Sequence, residues 1–165
     1  MTEAPALDHI RMLAARQGAE EALQAVDALL AAEPDDPDAL LLKARLLLEL
    51  REDEAALVLH RRVVALRPGS AEALDGLARA FHALGRHTEA LEVANRARAL
   101  LGEGENFRHA GAVYLTTVWC LRSLRRLPEA VAAAEEGLLR CSDAVLVQWA
   151  SVVEEELAES EKERC

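Results

Sequence analysis

Aromatic residues make up only 3% of this sequence: two Trp, two Phe and one Tyr. β-Branched strand formers are also sparse, and Ile10 is the sole isoleucine. A core of β-sheets is excluded on those grounds, because strands draw on aromatic and β-branched side chains. Lysine is scarce as well, with Arg outnumbering Lys seventeen to two, which points to a GC-rich, bacterial genome. Basic charge is in deficit overall: 19 Lys and Arg face 29 Asp and Glu, a formal net charge of −10. A general affinity for nucleic acid or for anionic lipid needs a basic face and is not expected. No apolar run approaches the ~18–20 residues of a membrane span. The N-terminal MTEAPALDHI lacks the basic and apolar regions of a secretory signal, so a cytoplasmic location is expected.

The three cysteines, Cys120, Cys141 and Cys165, form no CxxC pair and no Cys/His zinc spacing. Cys120 and Cys141 read as small buried hydrophobes, Cys165 as a terminal thiol of no assigned role. The five histidines, His9, His60, His82, His87 and His109, have no shared spacing, and His60 reads as a semi-buried packing residue. No phosphate loop, GxSxG elbow or HExxH motif is present. No enzyme, metal or cofactor is expected.

What the chain has in abundance is Ala, Leu, Glu and Arg, all strong helix formers. It also has a period. The stretch Glu52–Pro68, EDEAALVLHRRVVALRP, recurs along the sequence: Ala22, Ala56 and Ala90 are 34 residues apart, and so are the pairs Pro34 and Pro68 and Leu40 and Leu74. Helix punctuation follows it. Glu33-Pro34 stops a helix, since the residue before proline leaves the helical region. Asp36-Pro37 starts another with an N-cap acceptor and a proline at the first position. Ser70 is a candidate cap, Gly85 a glycine C-cap, and Ser142 or Asp143 caps the last helix. The period slips at LGEGEN, residues 101–106, where six residues are inserted before Ala130. Gly102 and Gly104 read as a link, Asn106 as a cap, and the helix that follows is expected to run to Arg126, longer than its equivalents. In the final helix, Val145, Trp149, Val152 and Val153 are expected to form the apolar face, extended by Leu157.

With this interval and these residues the chain resembles the tetratricopeptide repeat (TPR) family over nearly all its length. Ala22, Ala56, Ala90 and Ala130 match the small residues that bring each second helix close to its first; Ala44, Ala78 and Val118 serve from the other side, with Ile10 a bulkier variant. Arg86-His87-Thr88-Glu89-Ala90 after Gly85 matches the turn of the family. Leu40 and Leu74 stand where the family favours tryptophan, and His60 where a large aromatic is usual. The resemblance implies an all-α solenoid, a right-handed superhelix of about four helix-turn-helix repeats (approximately 3–36, 37–70, 71–104 and 111–144). A C-terminal capping helix near 143–162 completes one TPR domain spanning 1–165.

The resemblance further implies a non-catalytic adaptor or scaffold holding a peptide of a partner protein against the concave face of the first helices. The stripes expected there are Leu7, Arg11, Ala14; Leu41, Arg45, Leu48; Asp75, Arg79, His82; and Leu115, Trp119, Arg122. Arg11, Arg45 and Arg79 keep the 34-residue interval, and with the leucines and Trp119 they suit a partner with acidic and apolar residues. The expected groove is therefore Arg11, Leu41, Arg45, Leu48, Arg79, His82, Leu115, Trp119 and Arg122. A plainer alternative stays open: Asp8, Glu49 and Asp75 could hold the three arginines in solvated ion pairs worth ~0.2–0.5 kcal/mol each, and Trp119 could pack under the capping helix. The family's clamp for acidic chaperone tails is not matched, since its places carry Leu7, Arg11, Leu42, Glu72 and Gly76. Two further readings are a self-associating module using the capping helix or the long fourth-repeat helix with Phe107, and a regulatory sensor arm of a larger complex.

Overall fold

The computed structural model describes residues 3–102 and 108–163, with side chains from Ala6 onward within those stretches. The described residues form nine helices and no strand. They are α1 (Glu3–Gln17), α2 (Ala19–Ala32), α3 (Pro37–Glu49), α4 (Asp53–Leu66), α5 (Ala71–Ala83), α6 (His87–Ala99), α7 (Ala110–Ser123), α8 (Leu127–Arg140) and α9 (Ala144–Lys162). They gather in two compact units, Met1–Pro68 and Gly69–Cys165.

The starts are fixed chemically. Asp36 accepts from the Asp38 amide, Ser70 from that of Ala73, and Asp143 from those of Val145 and Leu146. Each satisfies helix-end donors that would otherwise lack a partner. Three of the four turns inside the hairpins, those after α3, α5 and α7, share one device. Arg51, Gly85 and Arg125 all take positive φ, at 64°, 72° and 59°. The amide after each reaches back five residues, Glu52 to Leu47, Arg86 to Phe81 and Arg126 to Leu121, at 2.9 Å in every case. This is the Schellman closure, with a left-handed residue just past the helix. The positions keep the intervals of the alanines.

That closure corrects one expectation. The helix of the fourth repeat does not run on to Arg126; α7 ends at Ser123 with 14 residues, like its counterparts, because Arg125 turns the chain left-handed. The expected link Gly104, cap Asn106 and contact Phe107 lie outside the described residues. His109 precedes α7 without a side-chain capping bond.

In the first unit α1 packs on α2, α2 on α3, α3 on α4, and α1 also meets α3. Leu7, Ile10, Ala22, Val26, Ala39, Leu42 and Leu46 form a core cluster between α1, α2 and α3, and Ala44, Leu47, Ala56, Leu57 and Val63 are buried as well. In the second unit each helix from α5 to α9 packs on the next, while α5 meets α7 and α7 meets α9. Ala22, Ala56, Ala90 and Ala130 are all 0% exposed, as are Ala44, Ala78 and Val118. Small side chains therefore sit where helices approach most closely, at the cost of overpacking if enlarged. His60 is fully buried rather than semi-buried. Cys120 is buried, but Cys141 is only half-buried, its Sγ 3.2 Å from the Gly137 carbonyl. Cys165 lies outside the described residues.

The terminal helix needs a second correction. The buried stripe of α9 is Leu146, Ala150 and Val153: of the expected face, Val153 is buried, Trp149, Val152 and Leu157 are half-buried, and Val145 is exposed. Both sets obey the i, i+4, i+7 spacing; what turns the second inward is packing, with Leu146 seated against Gly137 of α8 beside Tyr114 of α7. The exposed stripe Gln148, Ser151 and Glu155 is polar, as the end of a stack requires.

Candidate peptide-binding faces

In the first unit, α1 and α3 border an open cleft of about 310 Å³. Arg11, Ala14, Leu42, Arg45, Leu46 and Glu49 line it. Two guanidinium groups thus stand over a floor of small and aliphatic side chains. Arg11 donates to Asp8 at 2.8 Å, the i,i+3 pair foreseen as an alternative to ligand binding. Arg45 is exposed and makes no hydrogen bond or ion pair among the described residues; the anticipated pair with Glu49 is not formed. Leu41 is buried, at 7% exposure, and Leu48 is half-buried, so neither is an open apolar surface.

In the second unit, the faces of α5, α7 and α9 bring together His82, Trp119 and Arg122 with two residues not expected in the groove, Trp149 and Glu156. The His82 and Trp119 rings are 6.3 Å apart, and Trp119 meets Trp149 edge-on at 6.0 Å. Trp119 therefore both lies on the expected face and packs against the terminal helix. Arg122 binds the Glu156 carboxylate through Nε, at 2.9 Å to each oxygen, and through Nη2 at 2.6 Å. Its guanidinium carbon also stands 5.6 Å from the Trp149 ring centre. The Arg122 bonds hold the Glu156 carboxyl below the usual range. His82 Nε2 lies 3.1 Å from Ser123 Oγ, and its ring is 4.9 Å from that of His87. Burial, with His87 beside it, lowers the His82 pKa. Leu115 and Arg79 are half-buried.

Asp75, placed in the same stripe by sequence, is instead buried, 6% exposed, between α5 and α7. Thr116 hydrogen-bonds its carboxyl, Arg79 attracts it, and Oδ1 has no partner among the described residues. Burial dominates and raises its pKa. Burial, with Asp75 nearby, also pushes the Cys120 thiol up to about 12, which keeps it inert.

The signal for the missed residues is present in the sequence. Leu115 and Arg122 advanced by the 34-residue period give Trp149 and Glu156, so α9 occupies the register of a fifth first-helix.

The tetratricopeptide repeat family profile matches residues 7–60 and 53–106, together more than half of the chain. The chain belongs to the tetratricopeptide repeat family. A thermophilic TPR protein of Thermus thermophilus is similar in fold, with a TM-score of 0.82 and 21% identity over 94% of this chain and 83% of that one. MamA from Desulfovibrio magneticus RS-1 is similar with a TM-score of 0.67 and 18% identity, covering 95% of this chain and 92% of that one. A further MamA structure reaches 0.66 at 19% identity over 93% and 96%. At such identities the likeness is one of fold. No curated protein matches the sequence. The TPR protein is thus an all-α repeat solenoid, the architecture of a protein–protein interaction module, and TPR proteins are in general non-catalytic scaffolds. Among the described residues no helix is long and apolar enough to cross a membrane, and no cluster of three or more metal-ligating side chains occurs.

Proposed function

We propose that this TPR protein is a cytoplasmic, non-catalytic adaptor holding a peptide segment of a partner protein against its first-helix faces. The observation that supports it is Arg45: an exposed guanidinium without a partner among the described residues, beside Arg11 and above Ala14, Leu42 and Leu46. Such a surface suits a segment carrying carboxylates next to apolar side chains. Arginine grips a carboxylate through two parallel bonds, and the aliphatic floor takes its neighbours. Arg11 can leave Asp8 at little cost, since a solvated pair of this kind is worth ~0.2–0.5 kcal/mol.

Selection from a random peptide library on the intact protein tests this. Recovered peptides should combine Asp or Glu with Leu-like residues, and Arg11→Glu/Arg45→Glu should weaken them at least about tenfold without altering the helical circular dichroism. Equal affinity in the folded double variant would remove the cleft from the mechanism.

A second reading, self-association, draws on Leu139, Val145 and Val147, exposed by 88%, 48% and 51% near the junction of α8 and α9. Light scattering that gives one monomeric mass up to high concentration would dispose of it.

A further inference from the structure

Both tryptophans of this aromatic-poor chain lie in contact on the second unit, and neither is in the core. With His82 and His87 they make an unbroken run of ring neighbours at 4.9, 6.3 and 6.0 Å, carried by α6, α5, α7 and α9. Of the cations bordering this run, Arg122 is paired with Glu156 and Arg86 with Glu89, while Arg79, one turn before His82 on α5, is drawn to the buried Asp75 and Arg125 to Glu156. The Trp119 indole N–H is itself buried and has no acceptor among the described residues, so it is reached only if the ring turns outward. The result is an aromatic wall, locally neutralised, with one donor left over.

We propose that this wall docks a proline-rich segment in the polyproline II conformation. The proposal rests on the reading that first-helix faces hold peptides, but it names another surface and another ligand. Three features select that ligand. Proline rings pack on indole and imidazole faces, and polyproline II segments dock in aromatic-lined grooves. Such a segment has no internal hydrogen bonds, so its carbonyls are free to take the Trp119 N–H once the ring turns to meet them, whereas a helical ligand would offer only its ends. One polyproline II turn, three residues at ~3.1 Å, advances about 9 Å, and packed helices stand about 8–10 Å apart. Residues one turn apart can therefore meet α5, α7 and α9 in succession. An acidic ligand is less well matched, since Arg122 and Arg86 hold carboxylates already and the charges of Arg79 and Arg125 are set against Asp75 and Glu156.

The chain's two tryptophans are both in the wall, so the fluorescence of the intact protein reports on it directly. A synthetic peptide of repeated Pro-Pro-Leu-Pro should shift the emission saturably. Trp119→Phe, which keeps a ring and removes the N–H, should weaken binding about tenfold. Trp149→Phe should weaken it less, and Arg11→Glu/Arg45→Glu should leave it unchanged. No saturable shift at millimolar peptide overturns the proposal; if acidic peptides still bind in the Arg11/Arg45 cleft, the broader adaptor reading survives it. Should neither class bind, both fall. Binding equal to wild type in Trp119→Phe, followed by isotope-labelled peptide NMR because one reporter is lost, also overturns it.

Discussion

At three of the four hairpin turns one backbone position is asked to be left-handed, and the sequence answers with Gly85 once and with arginine twice. An L-residue with a Cβ pays about 1–2 kcal/mol there, partly offset because glycine loses more freedom on folding, about 0.5–1 kcal/mol. Arg125→Gly should therefore raise stability by about 0.5–1 kcal/mol, seen as a higher urea midpoint at unchanged slope. Gly137 presents the opposite case. A Cβ built there would lie 2.6 Å from Leu146 Cδ2 and 2.8 Å from Tyr114 Cβ. Neither neighbour is free to retreat, since both are fully buried. Gly137→Ala should cost about 1–3 kcal/mol by overpacking. Asp75 adds a pH dependence of known sign. Its carboxyl binds a proton more tightly folded than unfolded, so its contribution to stability is full below the ordinary Asp value near ~3.9 and is lost as pH rises through the raised value. Relative to wild type, Asp75→Asn should gain stability as pH climbs from about 4 towards 7, measured by paired urea titrations. A constant difference across that range would mean that Asp75 is not the group responsible.

At the level of the helix, the period carries most of what can be predicted. The alanines at 34-residue intervals locate the close contacts, and Asp36, Ser70 and the Ser142/Asp143 pair locate the starts, because those signals are local to the residues that carry them. The end of α7 is not legible, because arginine carries no mark of a left-handed residue, unlike Gly85. The face of α9 is hidden because Val145, Leu146 and Val147 are consecutive apolar residues, and only the tertiary fit of Leu146 against Gly137 and Tyr114 decides which of them turns inward. The candidate faces are legible in part: Arg11 and Arg45 do share a cleft, and His82, Trp119 and Arg122 do meet. Trp149 and Glu156 are not assigned to the groove because they lie on a helix that reads as a cap, though the cap keeps the register of a repeat. The wall they complete should respond to protons. His82 is held neutral by burial and by His87, so its stabilising effect is present above its ordinary value and lost as pH falls below it. Near-ultraviolet circular dichroism from the two tryptophans should change as pH drops below about 6.5, and His82→Gln should flatten that change. A profile identical in wild type and variant would locate the titration elsewhere.

For the molecule as a whole, repeat architecture and two compact units set how stability is distributed. In a repeat protein each element leans on its neighbours in sequence, so a local loss of packing is felt locally before it is felt everywhere. The period shows that the hairpins are alike but not where cooperativity divides, because Pro68-Gly69-Ser70 reads like any other turn between repeats. Gly137→Ala provides the probe. Its clash involves α7, α8 and α9 alone, through Tyr114 and Leu146. Hydrogen exchange under native conditions should therefore lose protection in Ala110–Lys162 while the amides of α1 to α4 keep theirs. Equal loss across residues 7–66 would show that the chain opens as one body. The reverse outcome, protection lost only in the second unit, would allow ligand faces such as the Arg11/Arg45 cleft and the Trp119/Trp149 wall to be tuned separately. Each draws its rigidity from a different set of helices.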